Sequence, residues 1–240
     1  MSEEPEHPLP ALVLAPGGAV PFATTDDAVR AWVRGWAVSR GAAEPVGRDW
    51  GYTVEVGLPH EVARHVLPDA DETTVREIAG NTAAPAVWLK TFVPPQTLAA
   101  WLPPGWALAG GPGFLMAARL DPGGAAAPAL ADGYRLTRWT RGGVTRAVVR
   151  AADGAFAARA QIAVTGRTAV VDQVETHPGH RRLGLGRVLL HSLADTAARE
   201  GATAAVLGAT PDGRALYESA GWRVLAPLTA ATRTPQDPPA

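Results

Sequence analysis

Two arginines and two alternating glycines stand at the head of one stretch, HRRLGLGRVLLHSLADTAAREG at 180–201. Glycine at the mouth of a helix leaves backbone N–H groups uncovered, and the helix end carries roughly half a positive charge. Arg181 and Arg182 add guanidinium forks that suit phosphate oxygens, so the chemistry on offer is anion binding. Tight packing alone would also use glycines here. The spacing excludes two other phosphate binders. A dinucleotide fingerprint would need a third glycine where Leu189 stands, and no Gly-Lys-Ser or Gly-Lys-Thr follows as in a phosphate loop.

Periodicity supplies the elements that must hold this stretch. YRLTRW (134–139), VTRAVVRA (144–151), AFAARAQIAV (155–164) and TAVVDQVET (168–176) read as strands joined by Gly-containing turns, an antiparallel meander. A helix follows over about 182–200, with Leu185, Val188, Leu189 and Leu193 on one face and Gly201 as its stop. TAAVLGA from 203 is a buried strand, DGRALYESA from 212 a short helix, and WRVLAPLTA from 222 the last strand. Upstream, Thr24 or Thr25 caps a helix with Asp26 and Asp27 in its first turn and an end near Gly41. Then come a strand YTVEVG at 52, a broken helical region from His60 to Gly80, a strand AVWLKTFV at 86 and a helix QTLAAWL. WALAGGPGFLMAARL from 106 reads as two strands around a Gly-Pro turn. DPGGAAAPALADG at 121–133 has no period and reads as a linker, and Pro and charge make 1–21 and 232–240 read as frayed ends. The domains are therefore 22–120, an α/β unit, and 134–233.

Strand, then Arg181-x-x-Gly184-x-Gly186, then an amphipathic helix, a strand and LYESAGW resembles the GNAT superfamily of acyl-CoA-dependent N-acetyltransferases. The similarity spans roughly 134–230 and is strongest over 168–223. It implies an α/β fold of the α+β type, with a mixed, mostly antiparallel sheet flanked by helices in the C-terminal half. It also implies acetyl-CoA as co-substrate, its pyrophosphate on the loop Arg181, Arg182, Leu183, Gly184, Leu185, Gly186 and Arg187. The backbone near Val174, Glu175 and Thr176 would donate to the carbonyl oxygen. Tyr217 holds the family's usual tyrosine position, and a phenol with pKa ~10 can protonate a thiolate. An acceptor amine with pKa ~10.4 must lose a proton before it attacks. Asp172, nine residues before Arg181, is the candidate base, with a water chain as the equal alternative and Glu175 as a fallback on the opposite strand face unless a bulge intervenes. Thr210 stands where many relatives carry Asn, and the resemblance implies contact with the pantetheine arm from this position.

A weak internal repeat links the halves. At a constant offset of 116, Pro95, Ala99, Gly105 and Trp106 match Pro211, Ala215, Gly221 and Trp222. Tyr217 then falls on Trp101, which has no hydroxyl, and the glycine loop falls on HVLPDA at 65–70, which has no glycine. The first half reads as a degenerate, non-catalytic GNAT-like unit or as an unrelated α/β domain. Trp32, Trp36, Trp50, Trp88 and Trp101 read as core and not as a ligand cage. His177 and His180, beside the glycine loop, read as ordinary loop histidines.

Composition bounds the rest. The net charge of -1 argues against nucleic acid as a partner through overall field, and the absence of cysteine excludes a thiol nucleophile, a thiolate metal site and disulfides. No apolar run reaches membrane-spanning length and the start MSEEPEHPLP lacks secretory character, so a cytoplasmic protein without membrane or metal is expected. A homodimer stays open. The expected activity is transfer of acetyl to a primary amine by direct attack in a ternary complex; the competing readings are a non-catalytic CoA or acyl-CoA sensor and, disfavoured by the glycine spacing, a dinucleotide-dependent enzyme.

Overall fold

The computed structural model describes residues 21–120 and 127–233; 121–126 of the linker and the ends 1–20 and 234–240 lie outside the described residues. The first half runs α1 (Thr25–Arg40), β1 (Val46–Arg48), β2 (Gly51–Leu58), β3 (Glu61–Leu67), α2 (Glu72–Asn81), β4 (Val87–Thr91), α3 (Pro95–Trp101), β5 (Trp106–Leu108) and β6 (Gly113–Arg119). The second runs β7 (Tyr134–Arg141), β8 (Val144–Ala151), β9 (Phe156–Thr165), β10 (Thr168–Thr176), α4 (Leu185–Arg199), β11 (Ala204–Ala209), α5 (Pro211–Ser219) and β12 (Arg223–Arg233), with a 3-10 turn at Pro178–His180. Thr24 caps α1 by accepting from the Asp27 N–H, and Gly41 closes it in the left-handed region.

All strands join one sheet of order β1-β2-β3-β4-β12-β6-β11-β10-β9-β8-β7, with β5 on β12. Each half builds a parallel pair, β3 with β4 and β10 with β11. The two halves then exchange their last strands. β6 of the first half pairs with β11 of the second, and β12 of the second pairs with β4 of the first. β6 and β12 also pair with each other, so the sheet runs unbroken between the halves. Moving Trp106↔Arg233 by the 116-residue offset gives Trp222↔Ala117, one residue from the observed Arg223↔Ala117.

Three apolar clusters follow. One lies between α4, α5 and the second-half strands, with Leu185, Leu189, Leu193, Ile162 and Leu207 in it. Another lies between α2, α3 and the first-half strands, centred on Leu67, Leu89 and Leu98. The third lies under α1, whose Trp32, Val33 and Trp36 cover Val54 and Val66 of the first half together with Val170 and Val206 of the second. Burying such a face of large side chains is worth ~1.5–3 kcal/mol per residue, so α1 fastens the halves together.

Several expectations are corrected. The region 60–80 is not a broken helix: Glu61–Leu67 is a strand and only Glu72–Asn81 is helical. β3 lies inside the sheet with Ala63, Arg64, Val66 and Leu67 buried, so both its faces are covered and the two-residue alternation is lost. Residues 65–67 therefore lie in a strand, and the segment that joins β3 to α2 is 68–71, where the Asp71 carboxylate caps α2 by accepting from the Thr74 N–H at 2.9 Å. Thr232 and Arg233 are not frayed but paired in β12. The two strands expected around the Gly-Pro turn are present as β5 and β6, and both lie on β12. Helix α4 starts at Leu185, three residues later than expected, because Arg182 and Gly184 sit at φ 65° and 73° and turn the chain first.

Candidate active site

The parallel pairing of β10 with β11 holds only from Thr168↔Ala204 to Val170↔Val206. Beyond it β10 continues to Thr176 and β11 to Ala209, so the two strands part and leave a wedge between them. A bulge opens β10 at the same place. Its register on β9 shifts between Asp172↔Gln161 and Glu175↔Arg159, Gln173 takes a φ of 52°, and Gln173 and Val174 fall between ladder positions. The bulge also turns Glu175 onto the face that carries Asp172, since Gln161 and Arg159 lie on one face of β9. Glu175 is half-exposed and paired with Arg159 at 2.8 Å. In the first half the matching pair stays zipped through five registers, Ala63↔Val87 to Leu67↔Thr91, and no wedge forms.

The glycine loop lies at the open end of the wedge. Gly184 is the N-cap of α4 and has no side chain to satisfy the first-turn N–H groups. Among the described residues no hydrogen bond reaches the N–H groups of Leu185, Gly186 or Arg187. A Cβ on Gly184 would meet nothing within 4 Å, so the space over the loop is open. Arg182, Leu183 and Arg187 are exposed beside it, whereas Arg181 donates from Nε to the Thr176 carbonyl at 3.4 Å and ties the loop to the end of β10. Gly186 has a second duty: a Cβ there would stand 2.9 Å from Leu216 Cδ2, so its smallness also lets α5 approach α4. An uncapped helix terminus, a left-handed glycine and two exposed guanidiniums fit the diphosphate of a CoA-type ligand.

Tyr217 is buried on α5 against Trp222, ring centroids 5.9 Å apart, with Gly213 leaving room for its ring. Burial, and then the charge of Asp172, push its phenol up to about 12. Thr210 caps α5 by accepting from the Gly213 N–H at 3.2 Å, which gives its hydroxyl a structural duty. The first-half counterpart at Trp101 ends α3 and packs against that half's core.

Asp172 does not stand free. The Arg40 guanidinium grips it through Nε to Oδ2 and through Nη2 to Oδ1 at 2.8 Å, and the Ser39 hydroxyl donates to Oδ2 at 2.9 Å. Gln161 Nε2 donates in turn to Ser39 Oγ and its carbonyl, both at 2.7 Å. These partners come from the end of α1, 132 residues away for Arg40, and nothing in the sequence pattern singled them out. A second missed group lies on the same side. Arg64 is paired with Glu61 at 2.6 Å and stacked 3.6 Å over Trp36, while Lys90, the only lysine of the chain, sits 4.4 Å over Trp88. Burial brings the Lys90 ammonium down to about 7, with the Arg64 charge adding to it. The single lysine among 22 basic residues was the one signal for it. His177 accepts from the Gly179 N–H within the turn, and His180 shares a 2.9 Å contact with the Tyr134 hydroxyl at the start of β7, so both are engaged by the protein itself.

Residues 118–222 match the model of the Acetyltransferase (GNAT) family. Over that segment, which is less than half of its length, the chain is similar to a GNAT acetyltransferase domain. Solved structures extend the likeness beyond that segment. A GCN5-related N-acetyltransferase from Kribbella flavida superposes with a TM-score of 0.62 at 18% identity, over 87% of this chain and 96% of that one. An acetyltransferase of the GNAT family from Novosphingobium aromaticivorans gives 0.52 at 21% identity over 86% and 99%. A tandem GNAT protein from the clavulanic acid biosynthesis pathway gives 0.50 at 18% over 68% of each chain. At these identities the likeness is one of fold, and a tandem arrangement is consistent with the strand exchange described above. No curated protein matches the sequence.

Proposed function

We propose that this protein is an N-acetyltransferase that uses acetyl-CoA and a primary amine acceptor in a ternary complex, with the second half, 134–233, as the working unit. The observation that carries the reading is the wedge between β10 and β11, open beside an uncapped helix N-terminus and a buried tyrosine. When bound, acetyl-CoA supplies an acetyl thioester, and transfer exchanges its C–S bond for a C–N bond to the acceptor. The N–H groups of Leu185, Gly186 and Arg187, with Arg182 and Arg187, hold the phosphates. Main-chain N–H groups at the bulge, near Val174, face the carbonyl oxygen, where a preorganised donor is worth the most. Tyr217 Oη donates a hydrogen bond to the leaving sulfur as charge gathers there, its proton crossing as another arrives.

Of the two routes for the acceptor's proton, the geometry favours water. Both Asp172 oxygens are engaged by donors from the end of α1, the Arg40 guanidinium on each and the Ser39 hydroxyl on Oδ2. Asp172 is then a positioning residue that fixes α1 beside the bulge. The first half, 22–120, is a degenerate partner: its parallel strands stay closed, its loop presents Asp71, and Trp101 stands where an acid is needed. The test is acetyl-CoA consumption with a panel of amines, read as free thiol. Turnover of some amine with a KM for acetyl-CoA supports the reading; CoA binding without turnover of any amine turns it into a CoA sensor.

A further inference from the structure

The acceptor class is written in a row of residues that runs sideways from the bulge. Trp139↔Arg146, Arg146↔Gln161 and Gln161↔Asp172 are directly opposed across β7, β8, β9 and β10, so all four lie on the face that carries α1. With strands ~4.8 Å apart, Arg146 stands about 10 Å from Asp172 along this row. A cavity of about 720 Å³ lies over it, walled by the end of α1 (Ser39, Arg40, Gly41) and reaching Gln173 at the bulge itself. That volume suits a small molecule.

Its charge is one-sided. Arg40, Arg141, Arg146 and Arg159 all line the cavity. Arg40 is taken up by Asp172 and Arg159 by Glu175. Among the described residues neither Arg141 nor Arg146 pairs with a carboxylate; Arg146 makes one 3.4 Å contact, to the Arg141 carbonyl. Two uncompensated guanidiniums thus face a small cleft in a protein whose net charge is -1. Trp139, 45% exposed, offers an aromatic surface at the same place. Guanidinium forks match planar or tetrahedral acid groups in two-pronged fashion.

Resting on the acetyltransferase reading, we propose that this cleft is the acceptor site and that it selects an amine bearing an acid group, carboxylate or phosphate, held by Arg146 and Arg141 while its amine points toward the bulge in β10. Gln161 and Gln173 then supply the neutral polar contacts of the wall. Neutral amines lack the anchor, and polycations are repelled.

The test compares matched pairs: free amino acids against their amides, and phosphoethanolamine against ethanolamine. The acid member of at least one pair is favoured in kcat/KM by about ten- to hundredfold, the worth of a charge-assisted contact. Arg146→Gln and Arg141→Gln collapse that preference toward unity, while Arg167→Gln, in the turn between β9 and β10, preserves it. Equal use of acid and neutral members, or a preference that survives both substitutions, overturns the proposal. Should no amine turn over, calorimetric titration of the CoA-loaded protein with the same acids separates the two claims. Binding that is lost in Arg146→Gln keeps the anion site though the acetyltransferase reading fails, and the absence of binding by any acid removes the anion site itself.

Discussion

Replacing Tyr217 by Phe removes one oxygen and leaves the ring against Trp222 and Gly213. The fold therefore loses about 1 kcal/mol or less, since no partner group is left unpaired. The catalytic effect is bounded by the phenol's own pKa. Burial puts it at about 12, against ~8.5 for an ordinary thiol, so full transfer of the proton to sulfur is uphill by ~3.5 units, or about 5 kcal/mol. Tyr217 thus acts chiefly as a hydrogen bond that strengthens as negative charge gathers on sulfur, and its proton crosses only as another arrives. A bond to a charged group is worth ~1.5–3 kcal/mol, so single-turnover rates with saturating acetyl-CoA fall by about ten- to a hundredfold, with unchanged CoA affinity. The same pKa keeps the phenol protonated, so the wild-type rate shows no loss through about pH 10 from this group. A fully active Phe variant, or a wild-type basic limb near pH 9 that vanishes in the variant, would remove Tyr217 from this role.

Other outcomes are equally specific. Asp172→Asn removes the charge that Arg40 grips; the pair is part-exposed on the arginine side, so the expected loss of stability is about 1–2 kcal/mol by denaturant midpoint, and a low-pH limb in kcat/KM that persists in the variant shows that Asp172 is not the base. Gly186→Glu abolishes CoA binding but also lowers Tm, because the new side chain meets Leu216; binding lost with Tm untouched would contradict the packing role. Lys90 has a folded pKa of about 7, below its unfolded ~10.4, so between those values the unfolded chain holds the extra proton and stability rises with pH, by up to about 1.4 kcal/mol per unit. Lys90→Met accordingly stabilises most below pH 7 and progressively less toward pH 9; a pH-independent gain in thermal melts would show that Lys90 is not desolvated.

The second half was legible because its strands alternate and its turns carry glycine: the meander, α4, β11 and α5 all lie where periodicity puts them. What failed was long-range. β3 is covered on both faces, and its buried Arg64 rests on Glu61 and on Trp36, a pairing that no local pattern encodes. The bulge at Gln173 reverses which face Glu175 occupies, a matter of one residue of register that alternation alone cannot supply. Likewise the loop, the tyrosine and the carboxylate were visible as residues, but the grip of Ser39 and Arg40 on Asp172 depends on α1 crossing both halves. The exchange of β6 and β12 was hidden for the same reason, since the offset of 116 relates sequences and not strand partners.

Calorimetric titration with CoA tests directly whether the wedge and the glycine loop form a CoA site. A single CoA per chain is expected, with affinity falling sharply in Arg182→Glu/Arg187→Glu, both positions being exposed and outside the core. Two equivalents per chain would contradict the closed first half, and affinity untouched by the double charge reversal would contradict the phosphate site.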